Sequence, residues 1–439
     1  MKKKGKFYLL GLFVLLTLIY VVDEIASNIN SAMQPSVILD LFSIPNHDVL
    51  SKEYSQAVGL FTIITMVSYV MMLIAPFYKA LADRFGRKPF LIINTLFMGV
   101  GMFICMISPN YIVYIVGALV ITFVKSNDMQ VMYIIETAPN EHRAKICNLT
   151  KAIALVSVSL IGVLRTIFYD DSKVESWRMV FLVPAILGVV VALICIPLIK
   201  ETPVFLEQKK MKAEGVEDAA IAEKTEAKGG VFKAFKLIFS DTQLRNICIA
   251  SVAFALVTGI TSYYTTVLEA AKGTGAITDQ VLNMVLIIFP FVNGIFTLLC
   301  GFISDYFGRK KACFIFSIIA IIGLVMFVLG ARVGMSEIII GLGWGMFIGT
   351  LWSITDTLVL VMPAESTPTN MRASVMGVMS LLLSAGMALS IVLFVVGLNI
   401  VGSGNIGILS LVVCIPLMIL SLMLLSRVSE TKGRDLDSI

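Results

Sequence analysis

Charge is scarce in this 439-residue chain: Asp, Glu, Lys and Arg make up 14% of it, against 58% hydrophobic residues. A soluble protein of this size needs more polar cover, so a water-solvated globule is excluded and lipid must solvate the chain. Paired cysteines are also missing. The seven, at 105, 147, 195, 248, 300, 313 and 414, stand singly in apolar stretches with no Cys-x-x-Cys spacing. They indicate neither a disulfide framework nor a metal site, and read as small packing residues. The two histidines, His47 and His142, are distant in sequence and read as surface residues rather than ligands. No Gly-x-x-x-x-Gly-Lys-Ser/Thr loop occurs, which disfavours ATP-driven pumping, and no cofactor is expected.

What the chain does have is long apolar windows, about twelve of roughly 19 to 27 residues. They are 7–30, 55–80, 90–108, 111–135, 146–168, 179–199, 246–268, 281–303, 312–331, 337–362, 372–398 and 404–426. Each is long enough to span a bilayer, and none shows the period-2 alternation of a membrane barrel, so they read as helices. The first has a rival reading, because Lys2, Lys3, Lys4 and Lys6 ahead of an apolar run also have the form of a secretory signal. A span is preferred, since the second half has six windows and losing the first would leave five in its own half.

Basic residues give the orientation. With a cytoplasmic N-terminus, 26 of the 34 Lys and Arg fall in inside segments, and only Lys52, Lys173, Arg178, Lys272 and Arg332 fall outside. That imbalance predicts a multi-pass protein of the cell membrane with both termini on the cytoplasmic side. The net charge of +5 then reflects topology, and a nucleic-acid partner is not expected.

The polar connection 200–245 separates six windows from six. Its centre reads as a solvated helix or flexible linker. Its end, VFKAFKLIFSD, sets Val231, Phe235, Ile238 and Phe239 on one side with Lys233 and Lys236 near the boundary, the form of an interfacial helix. Short phrases recur across this divide. KALADRFGRKP returns as GFISDYFGRKK, ETAPNEHRA as ESTPTNMRA, and KETPVFL as SETKGRDL, with Asp83 and Asp305, Glu136 and Glu365, and Glu201 and Glu430 in matching places. All fall on the cytoplasmic side, so the expected fold is all-α, with twelve transmembrane helices in two like-oriented bundles. The expected domains are 1–199, a linker 200–245, and 246–439. Parallel repeats of this kind belong to secondary transporters.

On these residues the chain resembles the major facilitator superfamily over essentially its whole length. The family loop motif Gly-x-Leu-x-Asp-x-x-Gly-Arg-Lys is matched by Gly301, Asp305, Gly308, Arg309 and Lys310. The first copy has Leu81, Asp83, Gly86, Arg87 and Lys88, with Lys79 where the leading glycine belongs. The C-terminal phrase and both Glu-x-x-Pro-x-x-x-Arg phrases resemble those of the sugar porters. The resemblance implies a cytoplasmic gate of Asp83, Arg87, Glu136 and Arg143 with Asp305, Arg309, Glu365 and Arg372. The plainer alternative is that these charges only fix topology.

Charges inside windows are costly in lipid and mark a solute or proton path. They are Asp23 and Glu24, Lys125 and Asp128, Lys151 and Arg165, and Asp356, six of the seven in the first half. Lys125 and Asp128 share a helix face and could simply neutralise one another, and Arg165 reads as an interface anchor. Asp23, Glu24 and Asp128 are the proton-coupling candidates. For Asp23 the resemblance adds that YVVDEIAS looks like the sugar-porter segment whose aspartate carries the proton, although window 4 offers Lys125 rather than an early arginine.

The candidate solute contacts are Lys151, Lys125, Tyr263, Tyr264, Asn293, Trp352 and Asp356. Lys151, eight after Arg143, falls where sugar porters resemble one another in a sugar-binding glutamine, and an ammonium there suits a carboxylate or phosphate better than a hexose. Tyr263 and Tyr264 echo the porters' paired tyrosines, while Phe254 and Ala255 replace their upstream glutamine phrase. Asn293 matches their helix 8 asparagine. Gly341, Gly345 and Gly349 read as close-packing residues of window 10. The expected protein is a monomeric, non-enzymatic carrier of a small organic anion or amphipathic metabolite, coupled to protons by alternating access. Its rivals are an efflux antiporter, a sugar:proton symporter and a non-transporting sensor.

Overall fold

A computed structural model describes residues 2–72, 78, 81–82, 84–125, 129–138, 143–213, 232–367 and 371–432. Among them there is no strand, only an isolated bridge between Asp170 and Lys173. Eleven described stretches are long and apolar enough to cross a membrane. With α2, Lys52–Met72, in the place of window 2, the all-α polytopic fold read from the windows is the fold observed.

In the first half α1 is Lys2–Leu41, α3 Arg87–Ile107 and α4 Tyr111–Lys125. Helix α5 is Met129–Thr137, α6 Arg143–Ser157, α7 Ser159–Phe168, α8 Trp177–Leu198 and α9 Pro203–Ala213. In the second half α10 covers 232–240, α11 is Thr242–Ala255, α12 Tyr264–Gly273 and α13 Asp279–Phe307. Then follow α14 Arg309–Val333, α15 Glu337–Asp356, α16 Arg372–Val401 and α17 Ile406–Ser426. The outward residues are apolar: Leu10, Val14 and Leu18 form a stripe along α1, and Ile186, Val190 and Leu193 one along α8. Water would not tolerate such faces, and lipid does.

Without a hydrophobic drive between helices in lipid, small residues set how closely they pack. A Cβ on Gly99 of α3 would lie 2.9 Å from the Ala185 carbonyl of α8, and one on Gly117 of α4 2.8 Å from the Gly101 carbonyl. In the second half α14 and α15 meet at Gly323 and Gly343, where a Cβ would lie 2.7 Å and 2.6 Å from backbone atoms of the facing helix. Gly343 thus lies between the glycines, Gly341 and Gly345, that sequence periodicity picks out.

Among the described residues three windows are interrupted. Window 5 breaks at Val158 between α6 and α7. Window 7 leaves α11 for a 3-10 stretch, Thr258–Ser262, before α12. Window 10 passes from α15 into a π-turn, Thr357–Val361. In α10 the buried face is Ala234 and Ile238, with Phe232 81% exposed. Val231 lies outside the described residues, as does the linker from 214 onward.

Contacts divide the chain into two units. The first is Met1–Val216 with Thr278–Gly294, the second Glu217–Ile277 with Ile295–Ile439.

Candidate functional site

The duplicated Gly-Arg-Lys phrase starts a helix in each unit. Gly86 and Gly308 precede α3 and α14 with φ of 107° and 98°, a region that favours glycine. A Cβ on either would run into a carboxylate, that of Glu201 or Glu430. Glu201 accepts from the backbone N–H of Arg87 at 2.9 Å and of Lys88 at 3.2 Å. Glu430 accepts from Arg309 at 2.8 Å and Lys310 at 3.2 Å. The first N–H groups of a helix lack intrahelical partners and sit at its positive end, so a carboxylate is favoured there.

The arginine of each phrase then reaches sideways. Arg87, 5% exposed, donates Nε to Glu136 Oε1 at 2.9 Å and Nη1 to the Ala82 carbonyl. Thr202 Oγ1 donates to the other Glu136 oxygen. In the second unit Arg309 donates Nε to Glu365 at 3.2 Å and Nη1 to Asp305, while Thr431 Oγ1 donates to Glu365 at 2.6 Å. Each unit therefore contains the same cluster of arginine, two glutamates and threonine. Burial pushes the Glu430 carboxyl up, but the N–H donors of Lys432, Arg309, Thr431 and Lys310 outweigh it and hold its pKa below the ordinary carboxylate value.

Of the eight gate candidates, Arg87 and Glu136 meet in one cluster, and Asp305, Arg309 and Glu365 in the other. Arg372 reaches the Thr367 carbonyl at 3.5 Å. Asp83 and the side chain of Arg143 lie outside the described residues. Glu201, Thr202, Glu430 and Thr431 complete the clusters from outside the expected gate set; the repeated phrases contain all four, and Glu201 and Glu430 occupy matching places in them.

Within the first unit, Asp23 on α1 is 5% exposed. Gln130 of α5 donates Nε2 to its Oδ2 at 2.6 Å. Lys125, at the end of α4, feels the charges of both Asp23 and Glu24. Glu24 also accepts from Asn28, and Tyr114 donates to Asn30 at 2.7 Å. Polar side chains of α1 thus meet α4 and α5. Asp128 lies outside the described residues, and Lys151 is partly buried on α6. Gln130 escapes a search for charges because it has none.

Within the second unit, Ser390 of α16 holds the break between α11 and α12. Its hydroxyl accepts from the Gly259 N–H at 2.7 Å and donates to the Leu256 carbonyl. Tyr263 stacks on Phe394 with centroids 5.7 Å apart, and Tyr264 on Trp344 at 5.0 Å. Both tyrosines are buried in these stacks, while Trp352 and Asp356 are exposed beside the π-turn. Asn293, 8% exposed, counts with the first unit. No group of three or more His, Cys, Asp or Glu among the described residues could hold a metal.

The model of the Major Facilitator Superfamily matches residues 12–391. The chain belongs to that superfamily. This facilitator is 23% identical over 382 residues to the glucose transporter GlcP of Staphylococcus epidermidis, covering 82% of this chain and 83% of that one. Its fold matches a D-xylose-proton symporter with a TM-score of 0.68 at 17% identity, over 98% of this chain and 100% of the other. It matches equally, at 0.68 and 17%, an inward-facing bacterial homologue of the lysosomal transporter Spinster, over 95% and 97%. The facilitator is a membrane transporter and not an enzyme.

Two buried charges of the facilitator stand apart from the expected set. Glu269 on α12 is 5% exposed and pairs with Lys272 at 3.3 Å. It lies one residue past the end of window 7, so a search confined to windows misses it. Arg165 on α7 is 1% exposed and pairs with Asp279, at the start of α13, at 3.2 Å. An interface anchor would extend towards water, and this side chain does not.

Proposed function

We propose that this facilitator is a proton-coupled carrier of a small organic solute in the cell membrane, working by alternating access as a monomer with both termini cytoplasmic. The observation that carries this reading is Asp23. It is a buried carboxylate in a membrane span, held by Gln130 and lying in the field of the Lys125 charge. A carboxylate so placed has two satisfied states, ionised beside the ammonium and protonated when that charge moves away or is engaged by solute. The twin arginine clusters support a cytoplasmic gate that parts when the protein opens inward, with Arg87 and Arg309 as its centres.

The solute is a small carboxylate or phosphate that engages Lys151. The second reading, a sugar:proton symporter, has the glucose and xylose carriers among its relatives in its favour. In proteoliposomes Asp23→Asn should lose uptake driven by a pH gradient and keep solute exchange. Equal loss of both would remove Asp23 from the coupling role. A thermal-shift screen of monocarboxylates and sugar phosphates against glucose and xylose, with Lys151→Gln as control, separates the two solutes. Stabilisation by glucose that survives Lys151→Gln would overturn the anion reading.

A further inference from the structure

Among the described helices, α13 alone is divided between the two units: Thr278–Gly294 counts with the first and Ile295 onward with the second. Its first half is fastened to α7. Gly162 brings the two helices together, since a Cβ there would lie 2.9 Å from the backbone N of Ile287 and 3.0 Å from the carbonyl carbon of Leu286. Near the end of that contact Arg165, 1% exposed, holds Asp279 Oδ1 with Nη2 at 3.2 Å. The ring of Tyr169 lies 4.6 Å from its Cζ. Asn283 donates to the other Asp279 oxygen at 3.2 Å, and its own Oδ1 is buried with no partner among the described residues. The Asp279 side chain is 34% exposed, so the pair is uncovered at its carboxylate end. The chain passes from α5, which carries Glu136, through α6 and α7 to Arg165, so the pair sits at the opposite end of the unit from the Arg87 cluster.

We propose that Arg165 and Asp279 are a positioning pair for transport, a latch that holds the first half of α13 on α7 and opens when the carrier exposes its outer side. This rests on the carrier reading above. An apolar contact would favour only the closed arrangement, because parting it exposes hydrocarbon to water. A buried ion pair differs, since the Coulombic gain roughly offsets the desolvation cost and the parted charges are satisfied by water. Such a contact can open and close with little net change. Breaking it from one side has the opposite character, for a guanidinium left buried without its carboxylate is strongly disfavoured.

The reporter is Leu286→Cys, at a position 1% exposed against Gly162. It is labelled in cells by a membrane-impermeant maleimide and measured against the protein without the added cysteine, because native Cys147 is partly exposed. Asp279→Asn should raise the labelling rate at least about tenfold, the factor given by 1.4 kcal/mol. The exchange of Arg165→Asp with Asp279→Arg should return it towards the original rate, and the apolar pair Arg165→Met with Asp279→Leu should keep it at or below that rate. Should Asp279→Asn fail to fold, as judged by the loss of a thermal transition, Arg165→Lys takes its place with a smaller increase expected. An unchanged rate in a folded single variant, or an equal rise in the apolar pair, overturns the latch. The labelling needs no solute. A protein that moves none of the screened solutes yet shows these rates defeats the carrier reading and leaves the switch, whereas uptake with unchanged labelling defeats the latch alone.

Discussion

A carboxylate that accepts N–H bonds from Arg309, Lys310, Thr431 and Lys432, as Glu430 does, binds its proton more weakly in the folded protein than in the unfolded chain. The stability it contributes is therefore fully present above its unfolded value of 4.5 and is lost as pH falls through the lower folded value. Thermal unfolding in detergent should show an acid-side loss below that value which Glu430→Gln removes, along with about 1 kcal/mol at neutral pH from the missing helix-end charge. At Gly308 two constraints coincide, a φ of 98° and the Glu430 carboxylate where a Cβ would stand. Gly308→Ala should lower stability by about 1 to 3 kcal/mol, and Gly301→Ala, with open space around it, much less. A pair of equal melting temperatures would remove the steric argument. Charged members of these clusters are legible in the sequence because lipid makes charge rare and the phrases repeat. Gln130 is not, since an amide among apolar residues looks like any other polar side chain until Asp23 is seen against it.

Hydropathy shows where a helix can span but not where its backbone departs from the α form. The break after α11 is an instance: window 7 reads as continuous, yet Thr258–Ser262 is a 3-10 stretch whose freed groups are met by Ser390 from another helix. Ser390→Ala would leave a buried N–H and a buried carbonyl unmet, at about 1 to 3 kcal/mol. Circular dichroism melts of that variant beside Ser384→Ala, whose hydroxyl only bonds its own helix, give the comparison. Equal losses would show that the break does not depend on Ser390. The meeting of α14 and α15 is likewise a matter of partners, because a Cβ on Gly343 would lie 2.6 Å from the Phe327 N. Gly343→Val should cost more than Gly377→Val, where the space is open, and comparison of the two melts measures the difference.

For the molecule as a whole, the proposed symport of one monovalent anion with one proton moves no net charge. A pH difference then supplies about 1.4 kcal/mol per unit, roughly tenfold accumulation, and membrane potential alone supplies none. Uptake into proteoliposomes under a potential without a pH gradient would refute that stoichiometry. The sequence by itself determined that lipid solvates the chain, that its helices span, that its halves repeat, and that charged phrases recur at matching places in the two halves. Those are properties of composition and spacing along one chain. Tertiary structure alone decided that Asp23 meets Gln130, that Tyr263 stacks on Phe394 and Tyr264 on Trp344, that Arg165 turns inward to Asp279, and that α13 divides between the units. Each of these depends on which residue a distant helix brings within a few ångströms, and hydropathy along the chain contains no record of that.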